Sequence, residues 1–265
     1  MRRRLALLIL LAALAGAVAL LLKPEFAYSL RDRAVRVAGR IAPELAARWR
    51  LGNEAPLEAR LTGRGFAPGS EAFIRIFKAE RQLELWLRRG ATFTLFQTYD
   101  VCSWSGDLGP KLKEGDGQAP EGFYAVGLKQ LNPRSAYYRA FDLGFPNAYD
   151  RAHGRTGSLL MVHGDCLSIG CYAMTDKVID DIYRLVEAAL RNGQKEVPVH
   201  VFPFRMTAEN LSRFDGSRWA SFWQNLKQGH DIFETTRSPP AVHACGTAYA
   251  FDAMAHGVCD PITAW

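Results

Sequence analysis

Residues 161–174 read Met161-Val-His-Gly-Asp-Cys-Leu-Ser-Ile-Gly-Cys-Tyr-Ala-Met174, and a histidine and a cysteine in this stretch lie eight positions apart. Apolar residues from Leu159 to Val162 precede the histidine, as in a buried strand. If the strand ends at His163 and a glycine-containing loop carries the chain back to Cys171, the two side chains meet across the turn. An imidazole that takes the thiol proton produces thiolate, the nucleophilic form of cysteine.

Two glycines in the same stretch suit this chemistry. Gly164 places a carbonyl beside His163 that can hold the ring N–H and fix its tautomer. The backbone N–H groups of Gly170 and Cys171 can bind the oxyanion that forms when a carbonyl is attacked. The alternative is that histidine and cysteine serve only packing or a disulfide, which is the commoner role of each residue alone.

The order of these residues resembles the signature of the YkuD-type L,D-transpeptidases, in which a His-Gly precedes a Ser-His-Gly-Cys loop. Ile169 stands where that family usually has its second histidine, and Ala173 where it usually has arginine or asparagine. These departures match the YafK-like branch. The resemblance extends over about Phe73 to Phe233 and includes four further stretches, which are Tyr99-Asp-Val-Cys-Ser-Trp-Ser-Gly106, Pro120-Glu-Gly-Phe-Tyr124, Pro146-Asn-Ala-Tyr-Asp150 and Val201-Phe-Pro-Phe-Arg205.

The resemblance implies an α+β fold, with a curved mixed β-sheet core, a helix after the nucleophile and helices at the C-terminal end. It implies acyl transfer on peptidoglycan stem peptides, in which Cys171 attacks the carbonyl that follows the L-centre of meso-diaminopimelate and His163 is the general acid and base. No cofactor and no metal are expected. An amine that resolves the thioester makes the enzyme a transpeptidase. Water makes it an L,D-carboxypeptidase or an amidase that releases a wall-linked lipoprotein. A cell-wall-binding module without activity is an alternative of another class.

Four polar residues are candidates for contact with the substrate. Ser168 belongs to the signature itself, and Tyr149, Arg139 and Arg155 follow turn-forming stretches where they could contact a carboxylate. For the two arginines and the tyrosine, a solvated surface position is the commoner alternative.

The N-terminus predicts export. Met1-Arg-Arg-Arg4 is followed by Leu5 to Leu22 without a polar side chain, which is typical of a signal peptide or of a signal anchor. The following residues would then lie in the periplasm or cell envelope, and an uncleaved segment would hold them at the inner membrane. Arginines that suit contact with anionic lipid follow at positions 31, 33, 36, 40, 48 and 50. Nucleic acid is not expected as a partner, because no aromatic-interleaved basic cluster or zinc-finger spacing is present.

Five cysteines in an oxidising compartment leave at least one thiol unpaired, and Cys171 is the candidate. Cys245 and Cys259 are a disulfide candidate, and a zinc site that these two cysteines share with His243 and His256 is the alternative. The sequence leaves the states of Cys102 and Cys166 open.

The 265 residues, 48% hydrophobic and 23% charged, divide into four predicted segments. Residues 1–23 are the leader, 24–70 membrane-proximal helices and a linker, 71–234 the catalytic domain and 235–265 an irregular C-terminal extension. Period-two patterning predicts a strand meander from Ala72 to Thr98, and Pro198–Phe202 predicts a strand with His200 in the core or on a face of the sheet. A helix is predicted from Thr175 or Asp176 to Gly193, with a dipole that favours thiolate at Cys171. The loop Trp104–Gly117 is expected to line a cleft.

Overall fold

The computed structural model describes residues 23–41, 55–252 and 259–265. The predicted leader at Leu5–Leu22 lies outside the described residues. Six α-helices occur in the described ranges: α1 Pro24–Ile41, α2 Leu57–Gly63, α3 Ala148–Ala152, α4 Asp176–Arg191, α5 Ala208–Ser212 and α6 Ala220–Thr236. Across those same ranges, no helix combines the length and apolar composition needed to cross a membrane.

Thirteen strands occur in the described ranges and form three sheets. They are β1 Ala72–Phe77, β2 Gln82–Arg89, β3 Thr92–Asp100, β4 Ser103–Trp104, β5 Gly122–Val126, β6 Leu131–Ser135, β7 Tyr138–Asp142, β8 Met161–His163, β9 Tyr172–Ala173, β10 Val197–Phe202, β11 Val242–Cys245, β12 Ala248–Phe251 and β13 Asp260–Pro261. Mixed sheets with separate helices confirm the predicted α+β class.

The first sheet has the order β3-β2-β1-β10-β5 and contains the predicted meander. Strand β1 pairs antiparallel with β2 and parallel with β10, so it lies in the centre of the sheet. All six of its residues are buried, because both faces of the sheet are covered. His200 on β10 is 1% exposed and lies between the rings of Phe73 and Phe123. Its predicted place in the core is confirmed.

The second sheet, in the order β4-β9-β8-β7-β6, carries the stretch that contains His163 and Cys171. Helix α4 packs against this sheet through an apolar face that includes the fully buried Ile179, Ile182 and Val186. Thr175 caps the helix by accepting a hydrogen bond from the Val178 N–H, and the helix ends at Arg191. This agrees with the predicted helix.

The C-terminal extension was predicted to be irregular, and that prediction is wrong. Its strands form a third sheet in the order β12-β11-β13. Tyr249 and Phe251 alternate with small residues along β12, and both rings pack against Phe123 with centroids 4.8 and 5.3 Å away. Four-residue strands rich in alanine give a weak periodic signal, which is why the pattern was missed.

The predicted linker contains a helix that belongs to the main core. Helix α2 buries Leu57 and Leu61 against strands of the first sheet. Residues before position 71 therefore pack in the same hydrophobic core as the residues that follow it.

Candidate active site

His163 and Cys171 lie on neighbouring parallel strands. Strand β8 pairs with β9 so that Val162 lies opposite Tyr172 and His163 opposite Ala173. Cys171 precedes β9 directly, and alternate residues of a strand share a face. Both side chains therefore lie on one face of the second sheet, and both line a cleft of about 930 Å³.

The loop between His163 and Cys171 connects two parallel strands, so it is not a hairpin turn. Because β9 runs parallel to β8, the chain must return to the start of β8 within residues 164–171. The backbone does so through a left-handed turn at Asp165 and Cys166, with φ of 69° and 56°. Two consecutive non-glycine residues in this region are conformationally costly, so contacts elsewhere must stabilise the turn.

His163 is buried and its ring is fixed on two sides. Nδ1 lies 2.6 Å from the Gly164 carbonyl oxygen, the contact expected from the sequence. The Tyr137 ring lies over the imidazole, with centroids 4.8 Å apart. Burial lowers the pKa of His163 below its usual 6.5, and the Gly164 carbonyl opposes that shift only in part. When Nδ1–H donates to Gly164, the lone pair of Nε2 is left to accept a proton.

The thiol of Cys171 rests against the backbone of the strand that carries His163. The Met161 N–H donates to Sγ over 3.4 Å, and the thiol donates to the Leu159 carbonyl over 3.6 Å. Within the described part of the chain, no hydrogen bond joins Sγ to the His163 ring. Burial raises the pKa of Cys171 above its usual 9.0, although the Met161 N–H acts in the opposite direction. Near neutral pH both groups are therefore uncharged.

The N-terminus of α4, expected from the sequence to favour thiolate at Cys171, faces a carboxylate of α1. The Asp176 N–H at the start of this helix donates to Asp32 Oδ2 over 2.7 Å. A carboxylate of α1 thus takes the place near the helix dipole that was predicted to favour thiolate at Cys171.

The two backbone donors expected to bind an oxyanion are occupied by hydroxyl oxygens. The Gly170 N–H donates to Ser105 Oγ over 2.5 Å, and the Cys171 N–H donates to Ser168 Oγ over 2.9 Å. Ser168 in turn donates to the Cys171 carbonyl over 2.7 Å. An oxyanion at either N–H would have to displace a hydroxyl group.

Three of the expected substrate contacts, Arg155, Tyr149 and Arg139, are not among the residues that line this cleft. Arg155 is buried in an ion pair with Asp150, with a nitrogen–oxygen distance of 2.8 Å. Tyr149 is 3% exposed and stacks on the Tyr249 ring with centroids 4.0 Å apart. Both line a separate pocket next to α6. Arg139 pairs with Asp180 of α4 over 3.2 Å. Each charged side chain satisfies a partner of its own instead of facing the thiol.

The cleft has walls that the sequence did not predict. Its lining residues in the described ranges are Lys23, Glu25, Phe26, Arg33, Ser103, Trp104, Ser105, Tyr137, His163, Leu167, Ser168, Ile169 and Cys171. The first four belong to α1 or directly precede it. Trp104 and Ser105 are the first two residues of the loop Trp104–Gly117 that was expected to line a cleft, and its residues from 106 to 117 are not among those that line this one. The available signal for α1 was the spacing of Arg33 and Arg36 on one helical face, which was interpreted as a lipid contact.

All five cysteines lie in the described ranges, and Cys171 alone among them is free. A disulfide joins Cys102 to Cys166, and thereby fastens the loop between His163 and Cys171 to the edge of the second sheet. A second disulfide joins Cys245 to Cys259. Those two sulfurs are therefore not the thiolate ligands that the alternative zinc site requires.

A family profile and two relatives in sequence show the family to which the chain belongs. The profile of the L,D-transpeptidase catalytic domain (YkuD) matches residues 71–201. The Escherichia coli (strain K12) protein named "Putative L,D-transpeptidase YafK" is 50% identical over 194 residues, which cover 73% of this chain and 79% of the relative. The protein of the same name in E. coli O157:H7 matches equally. Among solved structures, the helical cell shape determining protein Pgp2 from Campylobacter jejuni matches with a TM-score of 0.40 and 18% identity, over 71% of this chain and 79% of that one.

Proposed function

Because the chain belongs to the YkuD family of L,D-transpeptidase catalytic domains, we propose that it transfers acyl groups of peptidoglycan stem peptides through a thioester at Cys171. The carbonyl attacked is the one that follows the L-centre of meso-diaminopimelate. The site of action is the periplasm or cell envelope, where this polymer lies. The observation that carries the proposal is a free thiol in the same cleft as a buried histidine whose Nδ1 is fixed by a backbone carbonyl.

Proton transfer starts the reaction. The Cys171 side chain rotates from the Met161 N–H towards the imidazole, and His163 Nε2 takes the thiol proton as Sγ attacks the carbonyl carbon. A sulfur–carbon bond forms and the carbonyl oxygen becomes an anion. A buried neutral imidazole is suited to this step, because its Nε2 carries no proton beforehand and gains one only as the thiol ionises.

Collapse of the tetrahedral intermediate breaks the carbon–nitrogen bond. The leaving amine receives the proton from His163, and a thioester remains on Cys171. The backbone N–H groups of Gly170 and Cys171 stabilise the oxyanion once the hydroxyls of Ser105 and Ser168 turn away. Ser168 is then available to contact the substrate.

The acceptor decides the name of the activity. A second stem peptide or a protein lysine as acceptor gives a transpeptidase. Water as acceptor gives an L,D-carboxypeptidase, or an amidase that frees a wall-linked lipoprotein. The family favours the first outcome, and the second uses the same residues up to the thioester.

Digestion of purified sacculi with the wild-type protein and with Cys171→Ala tests the proposal. New cross-linked muropeptides indicate a transpeptidase, whereas shortened or protein-freed stems indicate a hydrolase, and either product must depend on Cys171. If the two proteins give identical muropeptide profiles while both bind sacculi, the chain is a wall-binding module and the enzymatic proposal is wrong.

A further inference from the structure

The loop between the proposed base and nucleophile is held by side chains of α1. Asp165, 2% exposed, accepts a hydrogen bond from Ser29 Oγ over 2.8 Å. Its other carboxylate oxygen accepts from Arg33 Nη2 over 2.8 Å, and Arg36 Nη2 lies 3.2 Å from Oδ1. Three side chains that precede the catalytic domain in sequence thus converge on the residue two positions after His163.

The contact continues to the start of α4. Arg36 also pairs with Asp176, whose Oδ1 accepts the Asp165 N–H over 2.9 Å. Asp32 accepts the Asp176 N–H, as described above. Helix α1 therefore contacts the catalytic loop and the helix behind it through one charged network. Arginine–carboxylate pairs with partly buried partners hold geometry better than exposed pairs do.

The network stabilises a turn whose backbone conformation is unfavourable. Asp165 and Cys166 both have positive φ, and each such residue costs about 1 kcal/mol or more unless its surroundings enforce it. The disulfide to Cys102 fastens Cys166, and the α1 side chains fasten Asp165. The turn directly follows Gly164, whose carbonyl orients His163. Release of Asp165 would therefore change the position of the carbonyl that fixes the ring.

We propose that Arg33 and Arg36 are positioning residues of the active site, which act on His163 through Asp165 and the turn at Asp165–Cys166. Helix α1 is thus part of the catalytic unit instead of a spacer that contacts lipid. The same helix also contributes a wall of the cleft through residues that include Glu25 and Phe26. A role in catalysis rests on the proposed function. The effect of Arg33 and Arg36 on the position of His163 and on the reactivity of Cys171 does not depend on the substrate.

A test that needs no substrate is the pH dependence of Cys171 alkylation by iodoacetamide in the full chain. A positioned His163 assists the thiol between its own lowered pKa and the raised pKa of Cys171, so wild type should show a shoulder of reactivity between pH 6.5 and 9 that His163→Ala lacks. In the double variant Arg33→Gln, Arg36→Gln, alkylation at pH 7.5 should fall by about tenfold or more, to the His163→Ala profile. Lysine at both positions should restore part of the alkylation rate at pH 7.5. Arg31→Gln, an exposed arginine of the same helix, should leave it unchanged.

A wild-type profile in the double variant overturns the inference. If the double variant fails to fold, as judged by its thermal transition, the same alkylation profile is measured on Asp165→Asn. This substitution removes the carboxylate charge with little change of shape. Loss of the shoulder in a folded Asp165→Asn protein supports the inference, and its retention overturns it. Failure of the wild-type protein to alter sacculi would contradict the proposed function, while this alkylation result would stand by itself.

Discussion

The Met161 N–H donates to Cys171 Sγ over 3.4 Å, and His163 follows Met161 by two positions on the same strand. Alternate residues of a strand share a face, so Met161 and the proposed base His163 are neighbours on one face of β8. The thiol contacts the first of these two residues. The proposed reaction therefore needs a rotation of the Cys171 side chain from the Met161 N–H towards the imidazole. The resting pair is a neutral thiol and a neutral imidazole.

The pH dependence of turnover follows from that neutral pair. The pKa of His163 is lowered by burial, so the base form persists below pH 6.5 and the acid limb of kcat/KM should have its midpoint below that value. Burial raises the pKa of Cys171, so alkylation in His163→Ala should rise only through a midpoint above 9. Stopped-flow alkylation and muropeptide release across pH 5–10 measure both. Full thiol reactivity at pH 6 would instead indicate a preformed thiolate–imidazolium pair.

Tyr137 should contribute to the rate through the His163 ring. Its side chain is 46% exposed, yet its ring lies over the imidazole with centroids 4.8 Å apart. Ring contacts of this kind contribute about 0.5–1.5 kcal/mol. Tyr137→Ala should lower kcat by about three- to tenfold with little change in the thermal transition, whereas Tyr137→Phe should keep both. An unchanged kcat in Tyr137→Ala would show that the ring does not hold His163.

The disulfide between Cys102 and Cys166 should matter for both stability and activity. It closes a loop with a sequence separation of 64, so its removal in Cys102→Ala, Cys166→Ala should cost about 4 kcal/mol in the free energy of unfolding. Activity should fall further than stability explains, because Cys166 belongs to the loop between His163 and Cys171.

The second disulfide provides the matched control. Cys245→Ala, Cys259→Ala opens a separation of 14 and should cost about 3 kcal/mol while kcat is retained, because the third sheet does not line the cleft. Urea unfolding and muropeptide release on both variants make the comparison. Equal losses of kcat in the two variants would contradict a specific role of Cys166.

Lys78 anchors the loop that follows Ser105, a residue of the cleft wall. It is fully buried and pairs with Glu121 over 3.0 Å. Its ammonium also donates to three loop carbonyls, those of Asp107, Gly109 and Ala119. Lys78→Met leaves the Glu121 charge uncompensated and should cost about 3–5 kcal/mol in the free energy of unfolding.

Two companion variants make that prediction specific. The double variant that combines Lys78→Met with Glu121→Gln should recover part of the lost free energy of unfolding, because both buried charges are then removed. Lys113→Met changes an exposed lysine of the same loop and should leave urea unfolding unchanged. A loss of less than about 1 kcal/mol in Lys78→Met would mean that the pair is not structural.

The sequence predicted those parts of the site that local order determines. The family and its YafK-like branch are confirmed by the comparisons. His163 and Cys171 lie within nine residues, so one loop brings them into one cleft, and the carbonyl of Gly164 contacts His163 because the two residues are neighbours in the chain. The helix after the nucleophile has a clear cap at Thr175 and an apolar face, and its bounds agree with prediction within two residues.

Contacts between distant residues could not be predicted in the same way. Arg33 and Asp165 are 132 positions apart, and a basic helical face suits either a carboxylate or a lipid headgroup. Arg155 was assigned to the substrate, although its partner Asp150 lies five positions before it in the chain. The sequence does not show which acceptor an arginine will contact. A buried arginine needs a partner for its charge, and the three-dimensional fold determines which residue provides it.

Mass spectrometry after incubation with a carbapenem tests the central claim most directly, because this reagent acylates a nucleophilic thiolate. The wild-type protein should gain a single adduct on the peptide that contains Cys171, and His163→Ala should form it at least about a hundredfold more slowly. No adduct at Cys171, or an equal rate in His163→Ala, would contradict a thiol activated by this imidazole.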